Sequence, residues 1–364
     1  MGLHRASRLI IAGVSAFALV ACASNDATAP KASDSASVPT TSQSGGTIPA
    51  GEPDINGDGK VIIGVLSPGD INDHGYYQSF VDGADAFAKS KGWTVIKRGS
   101  VNVADALNAA RALCQQKVDM VALGASELKD AIPASKEPVC AKTAWYVPSS
   151  ANVPQTPEIV LSSDDPNQSI LVAGYAAGLL MQARGDTKAG FVTGPQADFS
   201  LAAAKAFKAG IREIIPSATT VNTFTGDFND SAKAKVAVEA QMSQGVKALY
   251  PYLGGATDAA TEAANAGNAI TLTPGTDRCA STKPKFDISV IFDPGAYFTA
   301  ALTLFADGKL AMGVAKVWQL GVDQYPTVKI CNGTAEQNQK LNQFMADIGS
   351  KKIDVLAEVN KLGN

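Results

Sequence analysis

From Lys60 onward, short apolar runs alternate with longer stretches of helical spacing, which restricts the chain to α/β architectures with largely parallel sheets. Val61–Leu66 is a continuous apolar run, as a strand covered on both faces requires. Phe80, Ala84, Phe87 and Ala88 then recur at helical spacing, predicting a helix over Phe80–Lys91. Strands follow over Trp93–Ile96, Val118–Leu123, Trp145–Val147 and Ile159–Leu161, with a helix over Val103–Gln116 and a short one over Asp130–Lys136. After Asp164-Asp165-Pro166 the rhythm restarts. Helices over Ser169–Ala183, Phe199–Ile214, Asp230–Gln244 and Ala256–Ala266 alternate with strands over Lys188–Thr193, Thr219–Phe224 and Ala248–Tyr252. Two successive arrays of similar length predict two α/β lobes. The remaining strand-like segments (Ile270–Thr273, Ile288–Phe292, Val317–Leu320) and helices (Gly295–Ala306, Ala335–Ile348) imply repeated crossings between the lobes, hence a hinge below a cleft.

The amino terminus reads as a targeting segment. Arg5 and Arg8 precede an apolar stretch, Leu9–Val20, and Leu19-Val20-Ala21-Cys22 looks like a bacterial lipobox. Residues 1–21 are therefore expected to be a lipoprotein signal peptide, with Cys22 the site of lipid (palmitate) attachment. Residues 22–58 are expected to be a flexible tether, because their Ala, Ser, Thr, Pro and Gly content buries too little apolar surface to offset chain entropy. The expected location is the extracytoplasmic face of the cell membrane. The formal net charge is −3, and loss of Arg5 and Arg8 with the leader makes it more negative. Such a balance argues against nucleic acid as a partner, since binding it requires clustered basic residues. With Cys22 lipidated, Cys114, Cys140, Cys279 and Cys331 remain for an oxidising compartment. Two disulfides are expected, with Cys114–Cys140 and Cys279–Cys331 favoured among the three connectivities.

Enzymatic motifs are lacking. The chain has two histidines, His4 in the leader and His74, and neither a G-x-S-x-G nor a phosphate-binding loop. Asp54-Ile55-Asn56-Gly57-Asp58-Gly59 resembles the first half of a calcium loop, but the twelfth position is Val65, where a bidentate carboxylate is needed. A polar turn is the better reading, and neither a metal nor a cofactor is expected.

Strand-end loops carry the binding signal, because α/β sheets place ligands at the carboxyl ends of parallel strands. Asn72-Asp73-His74-Gly75-Tyr76-Tyr77-Gln78 combines a carboxylate, amides and two aromatic faces between the first strand and the first helix. Phe224–Asp230 mirrors it in the second array, with Phe228 as a large apolar residue in a polar turn and Asp230 as a helix N-cap. Tyr252-Leu253-Gly254-Gly255 and Gly275-Thr276-Asp277 end two further strands.

These stretches, together with Val172–Leu179, Ala189–Val192, Phe207–Gly210 and Gly226–Lys235, resemble the basic membrane protein family, the nucleoside-binding lipoproteins of ABC importers. The resemblance implies the periplasmic-binding-protein type I fold, two Rossmann-like lobes joined by a three-crossover hinge. Lobe 1 is then expected at 59–165 and 293–316, and lobe 2 at 166–292 and 317–364. Crossings are expected near 162–168, 270–293 and 317–325. It further implies a nucleoside-like solute and ABC permease subunits as partners, and no enzymatic activity. Ligand-binding residues would be Asp73, Tyr76, Tyr77, Gln78, Phe228, Tyr252, Gly254 and Asp277. Tyr76 and Phe228 would stack on the flat part, Asp73 and Asp277 would hold hydroxyls, and Gly254 would bring backbone amides to the ligand. Two departures stand out: Tyr77 replaces the family's Asn, and Phe292 and Asp293 occupy the stretch where a Lys is usual. The alternatives are a lipoprotein that signals ligand to a membrane receptor, or an importer component for a non-nucleoside sugar or polyol.

Overall fold

The computed structural model describes residues 53–149 and 153–363. The leader, Cys22 and the tether up to residue 52 lie outside the described residues. The described chain forms two six-stranded sheets. The first contains β1 (Ile62–Leu66), β2 (Thr94–Arg98), β3 (Met120–Leu123), β4 (Ala144–Ser149), β5 (Val160–Asp164) and β11 (Ala315–Trp318), in the spatial order β11-β5-β4-β3-β1-β2. The second contains β6 (Lys188–Thr193), β7 (Thr219–Phe224), β8 (Ala248–Tyr252), β9 (Ile270–Gly275), β10 (Ile288–Ile291) and β12 (Thr327–Ile330), in the order β12-β10-β9-β8-β6-β7. All pairings are parallel except β10–β12. The continuous apolar runs become central strands: Ile63, Val65 and Leu66 of β1 are wholly buried, as are Met120 to Leu123 of β3.

Helices cover both faces of each sheet. In the first lobe α1 (Tyr76–Lys91) and α7 (Pro294–Ala306) share a core with β1, β3 and β4, while α2 (Ala106–Gln115) packs on the opposite face. In the second, α3 (Pro166–Arg184), α4 (Asp198–Ile214), α8 (Ala335–Gly349) and α9 (Val355–Leu362) cover one face. The other is covered by α5 (Ser231–Ser243) and α6 (Thr257–Ala266). The chain crosses between sheets after β5, after β10 and after β11. Since Trp318 pairs with Asp164, residues 317–318 belong to the first sheet and the lobe boundary expected at 316 moves beyond Trp318.

Several local expectations are corrected. Helix α1 starts four positions before Phe80, because the Asp73 carboxylate accepts the N–H groups of Tyr77 and Gln78, satisfying first-turn donors. The helix expected over Asp130–Lys136 is a 3-10 stretch over Ser126–Lys136 that accommodates Pro133. Strand β12 and helix α9 span only four and eight residues, too short for their spacing to predict them. Residues 54–58, assigned to the tether, belong to the lobe: Asn56 donates to Asp119 at 3.0 Å and to the Lys117 carbonyl at 2.8 Å. Asp54 turns its carboxylate onto the N–H groups of Gly57, Asp58 and Gly59, so this segment is a closed polar turn. Asp230 caps α5 by accepting from the Lys233 N–H. The disulfides pair Cys114 with Cys140 and Cys279 with Cys331.

Two of the sequence motifs meet where α3 crosses α4. A Cβ on Gly174 would stand 2.2 Å from the Phe207 carbonyl oxygen, and one on Gly210 would stand 1.9 Å from that of Leu171. The helices therefore touch backbone to backbone, and neither position has room for a methyl group. Gly210→Ala should destabilise the protein by at least about 1–3 kcal/mol through overpacking. Denaturant unfolding tests this, and an unchanged midpoint would mean that the crossing is loose.

Candidate functional site

Between the two sheets lies a cavity of about 360 Å³. The first lobe supplies Tyr76 and Tyr77 from the start of α1, Ser126, Glu127 and Lys129 from the 3-10 stretch, Ser162 and Asp164 from β5, and Tyr297 from α7. The second supplies Ser169 and Ile170 of α3, Phe199 of α4, and the strand-end residues Phe228, Tyr252, Leu253 and Gly254. Phe292 enters from the crossing after β10.

Each lobe sets one aromatic ring on a glycine that follows its leading strand. Tyr77 lies on Gly69, where a Cβ would meet its ring at 2.2 Å, and Phe228 lies on Gly194, where a Cβ would meet its ring at 2.7 Å. Tyr77 also reaches Gly254 of the second lobe, since a Cβ there would be 3.5 Å from its ring. The lobes thus meet around the start of α1. Tyr76 packs edge-on to Tyr77, with centroids 5.6 Å apart, and tilts against Phe292 at 6.1 Å. Phe228 instead stacks with Phe199 at 6.1 Å. The crossing after β10 therefore contributes an aromatic wall through Phe292.

Of the eight predicted ligand-binding residues, the cavity lining includes Tyr76, Tyr77, Phe228, Tyr252 and Gly254. The Gly254 N–H is taken by the Phe228 carbonyl at 3.0 Å, so this amide is engaged within its own lobe. Asp73 is buried beside a smaller crevice next to the cavity and is occupied by the N–H groups of Gly75, Tyr77 and Gln78. Burial raises its pKa against the pull of those three donors. Gln78 turns away and accepts the His74 N–H at 3.0 Å. Asp277 is not among the lining residues of the cavity. It forms an ion pair with Lys329 at 2.7 Å and accepts the Cys279 N–H. Burial alone would raise its pKa, but Lys329, the Cys279 N–H and Ser289 together hold it below the ordinary value.

The carboxylates that do face the cavity are Asp164 and Glu127. Asp164 is pushed up to about 6, chiefly by burial, with Asp165 adding to the rise and its own backbone N–H and the Tyr297 hydroxyl opposing it. The Tyr297 hydroxyl lies 3.4 Å from Asp164 Oδ2, and burial followed by the nearby Asp164 charge raises its own pKa. Glu127 lines the cavity with its surface partly exposed, while protein crowds its carboxyl. This desolvation raises its pKa against its own backbone N–H and the Ser126 hydroxyl. Behind the floor, Trp318 stacks on Tyr297 with centroids 4.5 Å apart and donates its indole N–H to Ser162 Oγ at 3.0 Å. Asp164 stands at the carboxyl end of a parallel strand, so the strand-end rule points to it as well. The Asp-Asp-Pro run reads equally as a helix start, and Asp165 is indeed the N-cap of α3.

A carboxyl whose folded-state pKa lies above its unfolded value destabilises the fold once ionised. That cost grows as the pH rises from about 4 through about 6 and is constant above. Asp164→Asn removes it. The variant should gain on the order of 1–3 kcal/mol relative to wild type across that window. Unfolding curves at several pH values read the gain; parallel profiles would show that the carboxyl is well solvated.

Comparison with known proteins fits this geometry. The family described as ABC transporter substrate-binding protein, PnrA-like, matches residues 60–361. No curated protein matches the chain. Among solved structures, an ABC transporter system solute-binding protein from Conexibacter woesei DSM 14684 superposes with a TM-score of 0.64 at 20% identity, covering 81% of this chain and 98% of that one. A solute-binding protein from Aeropyrum pernix K1 gives 0.64 at 18% identity, covering 83% and 90%. A solute-binding protein from Burkholderia graminis C4D1M in complex with D-arabinose gives 0.56 at 14% identity, covering 75% and 96%. These likenesses establish the two-lobe periplasmic-binding-protein type I fold. Proteins of this family bind small solutes outside the cytoplasm, work with permease subunits and are not enzymes. No helix among the described residues is long and apolar enough to cross a membrane. The chain belongs to the Bmp family of PnrA-like ABC transporter substrate-binding proteins.

Proposed function

We propose that the cleft captures a flat, uncharged solute rich in hydrogen-bond donors, a nucleoside above all, and that the lipid-anchored protein delivers it to an ABC permease. The observation that carries this reading is the cavity itself: aromatic rings enter from both lobes, and two carboxylates face the same space. Its volume of about 360 Å³ falls in the range of small-molecule sites. Aromatic faces suit a planar base, whose stacking on a side chain is tolerant of base identity. A closed form in which both lobes touch the ligand is favoured by binding, because only there are both sets of contacts made.

Isothermal titration of the purified full-length protein in detergent against nucleosides, nucleotides, free bases and monosaccharides tests the reading. Nucleosides should bind most tightly. Tyr76→Ala and Phe228→Ala should each weaken binding by about 1–3 kcal/mol, as loss of base stacking does. Unchanged affinity in both variants would remove the stacking contribution. A monosaccharide is the second reading, supported by the relative solved with D-arabinose. Sugar binding without nucleoside binding would establish it instead.

The sequence at Leu19-Val20-Ala21-Cys22 supports the anchor. Cys22→Ala should move the protein from the membrane fraction to the soluble extracytoplasmic fraction and abolish incorporation of labelled palmitate. Retention at the membrane with label lost would indicate another attachment.

A further inference from the structure

The junction of β5 and α3 contains a polar group that the fold does not satisfy. Ser169, in the first turns of α3, lines the cavity at 1% exposure, and its hydroxyl has no hydrogen-bond partner. A buried hydroxyl left in that condition costs free energy that a ligand atom relieves. Five positions earlier, Asp164 also lines the cavity. Its contacts are its own backbone N–H and the Tyr297 hydroxyl at the long distance of 3.4 Å, against acceptor capacity for about four bonds. The two acids predicted to hold ligand hydroxyls are engaged elsewhere, Asp73 by three backbone N–H groups and Asp277 by Lys329. Acceptor capacity in the cleft therefore lies at the end of β5 and, across from it on the 3-10 stretch, at Glu127, and the unpartnered Ser169 hydroxyl stands beside the first of these.

We propose that Asp164 and Ser169 form the specificity subsite that recognises the hydrogen-bond-donating end of the solute, and that this subsite admits neutral or cationic solutes and rejects phosphorylated ones. The proposal rests on the cleft being the solute site. Among the described residues the charged lining consists of Glu127 and Asp164 against the one cation Lys129, so a phosphate entering the cavity meets a net negative lining. Among the groups packed around Asp164 itself it is the titrating member, while Glu127, also raised by burial, faces the cavity from the 3-10 stretch. Tyr297 of α7, Tyr76 of α1, Tyr146 of β4 and Tyr252 of β8 are neutral phenols with pKa values raised by burial. Lys316 of the adjoining strand β11 is held by Asp323 at 3.0 Å, and Asp165 carries the neighbouring negative charge. Donors from a ligand stabilise the ionised carboxyl, so affinity falls as the pH drops through about 6.

The test is titration calorimetry on the full-length protein with uridine, adenosine and inosine, their 5′-monophosphates, and D-ribose and D-arabinose, between about pH 5 and pH 8, a window set by linkage. Asp164→Asn should weaken nucleoside binding about tenfold to a hundredfold, and Ser169→Ala about threefold to tenfold, as lost charged and neutral hydrogen bonds do. Wild-type affinity should rise with pH through about 6, and Asp164→Asn should lose most of that rise while Glu127→Gln retains it. The monophosphates should bind at least about a hundredfold more weakly than the nucleosides, with the gap narrowing in Asp164→Asn. Thermal melts of the unliganded variants confirm folding. Nucleoside binding unchanged within about twofold in both variants, with an unaltered pH profile, overturns the subsite while leaving the proposed function intact. Monophosphates binding as tightly as nucleosides overturns the charge selection. If only the sugars bind, the nucleoside reading falls and the same variants decide the subsite with them; if none of these probes binds, both fall.

Discussion

The backbone contact between α1 and α7 is the constraint on which the cleft depends. A Cβ on Gly83 would lie 2.9 Å from the Gly295 Cα, and one on Gly295 would lie 2.2 Å from the Ser79 carbonyl oxygen. Asp293 caps α7 through the N–H groups of Gly295 and Ala296 and also accepts from the Ser79 hydroxyl on α1. A segment that has just left the second sheet is thereby seated on the first. Three consequences follow from that seating: the second crossing is fixed, Phe292 is brought beside Tyr76, and Tyr297 is delivered to Asp164. Side chains at the two glycines would push the helices apart and displace all of these together.

The cleft combines two kinds of interaction with opposite dependence on water. Its rings gain from excluding solvent, while its carboxylates lose hydration as the same exclusion proceeds. A solute that is apolar on its faces and donor-rich at one end resolves both. The polar groups come from two places, Asp164 and Ser169 at the junction of β5 and α3, and Glu127 and Lys129 on the 3-10 stretch. Trp318 supports the floor from behind: it pairs with Asp164 across the β5–β11 ladder, stacks on Tyr297 and donates to Ser162. The third crossing follows directly after it, so the strand that braces the floor is also the last of the first lobe.

Much of the architecture was legible because the central strands are unbroken apolar runs and the helices between them have clear spacing. Strands β1, β3 and β6 are of this kind, and both arrays follow from them. The start of α1 was not legible, since its capping acid lies before the N-cap Gly75, with His74 at a positive φ of 53° between them. Five of the eight residues expected to bind ligand line the cavity. Its aromatic members sit at strand ends, where the topology rule points. Asp277 lies outside the cavity lining for a physical reason: its ion-pair partner, Lys329, is 52 positions away on a four-residue antiparallel strand, and no local pattern links the two. Family likeness assigns a carboxylate its position in the chain, but competing donors decide whether it has capacity left.

Both disulfides tie together segments of the same lobe. Cys114 and Cys140 join the end of α2 to the approach to β4, and Cys279 and Cys331 join the loop after β9 to the end of β12. Neither cross-link bridges the cleft, so oxidation stiffens each half without locking one to the other. Oxidative folding and the joint between the lobes are thus mechanically decoupled: a protein matured in an oxidising compartment sheds chain entropy within each half, and neither cross-link ties one half to the other.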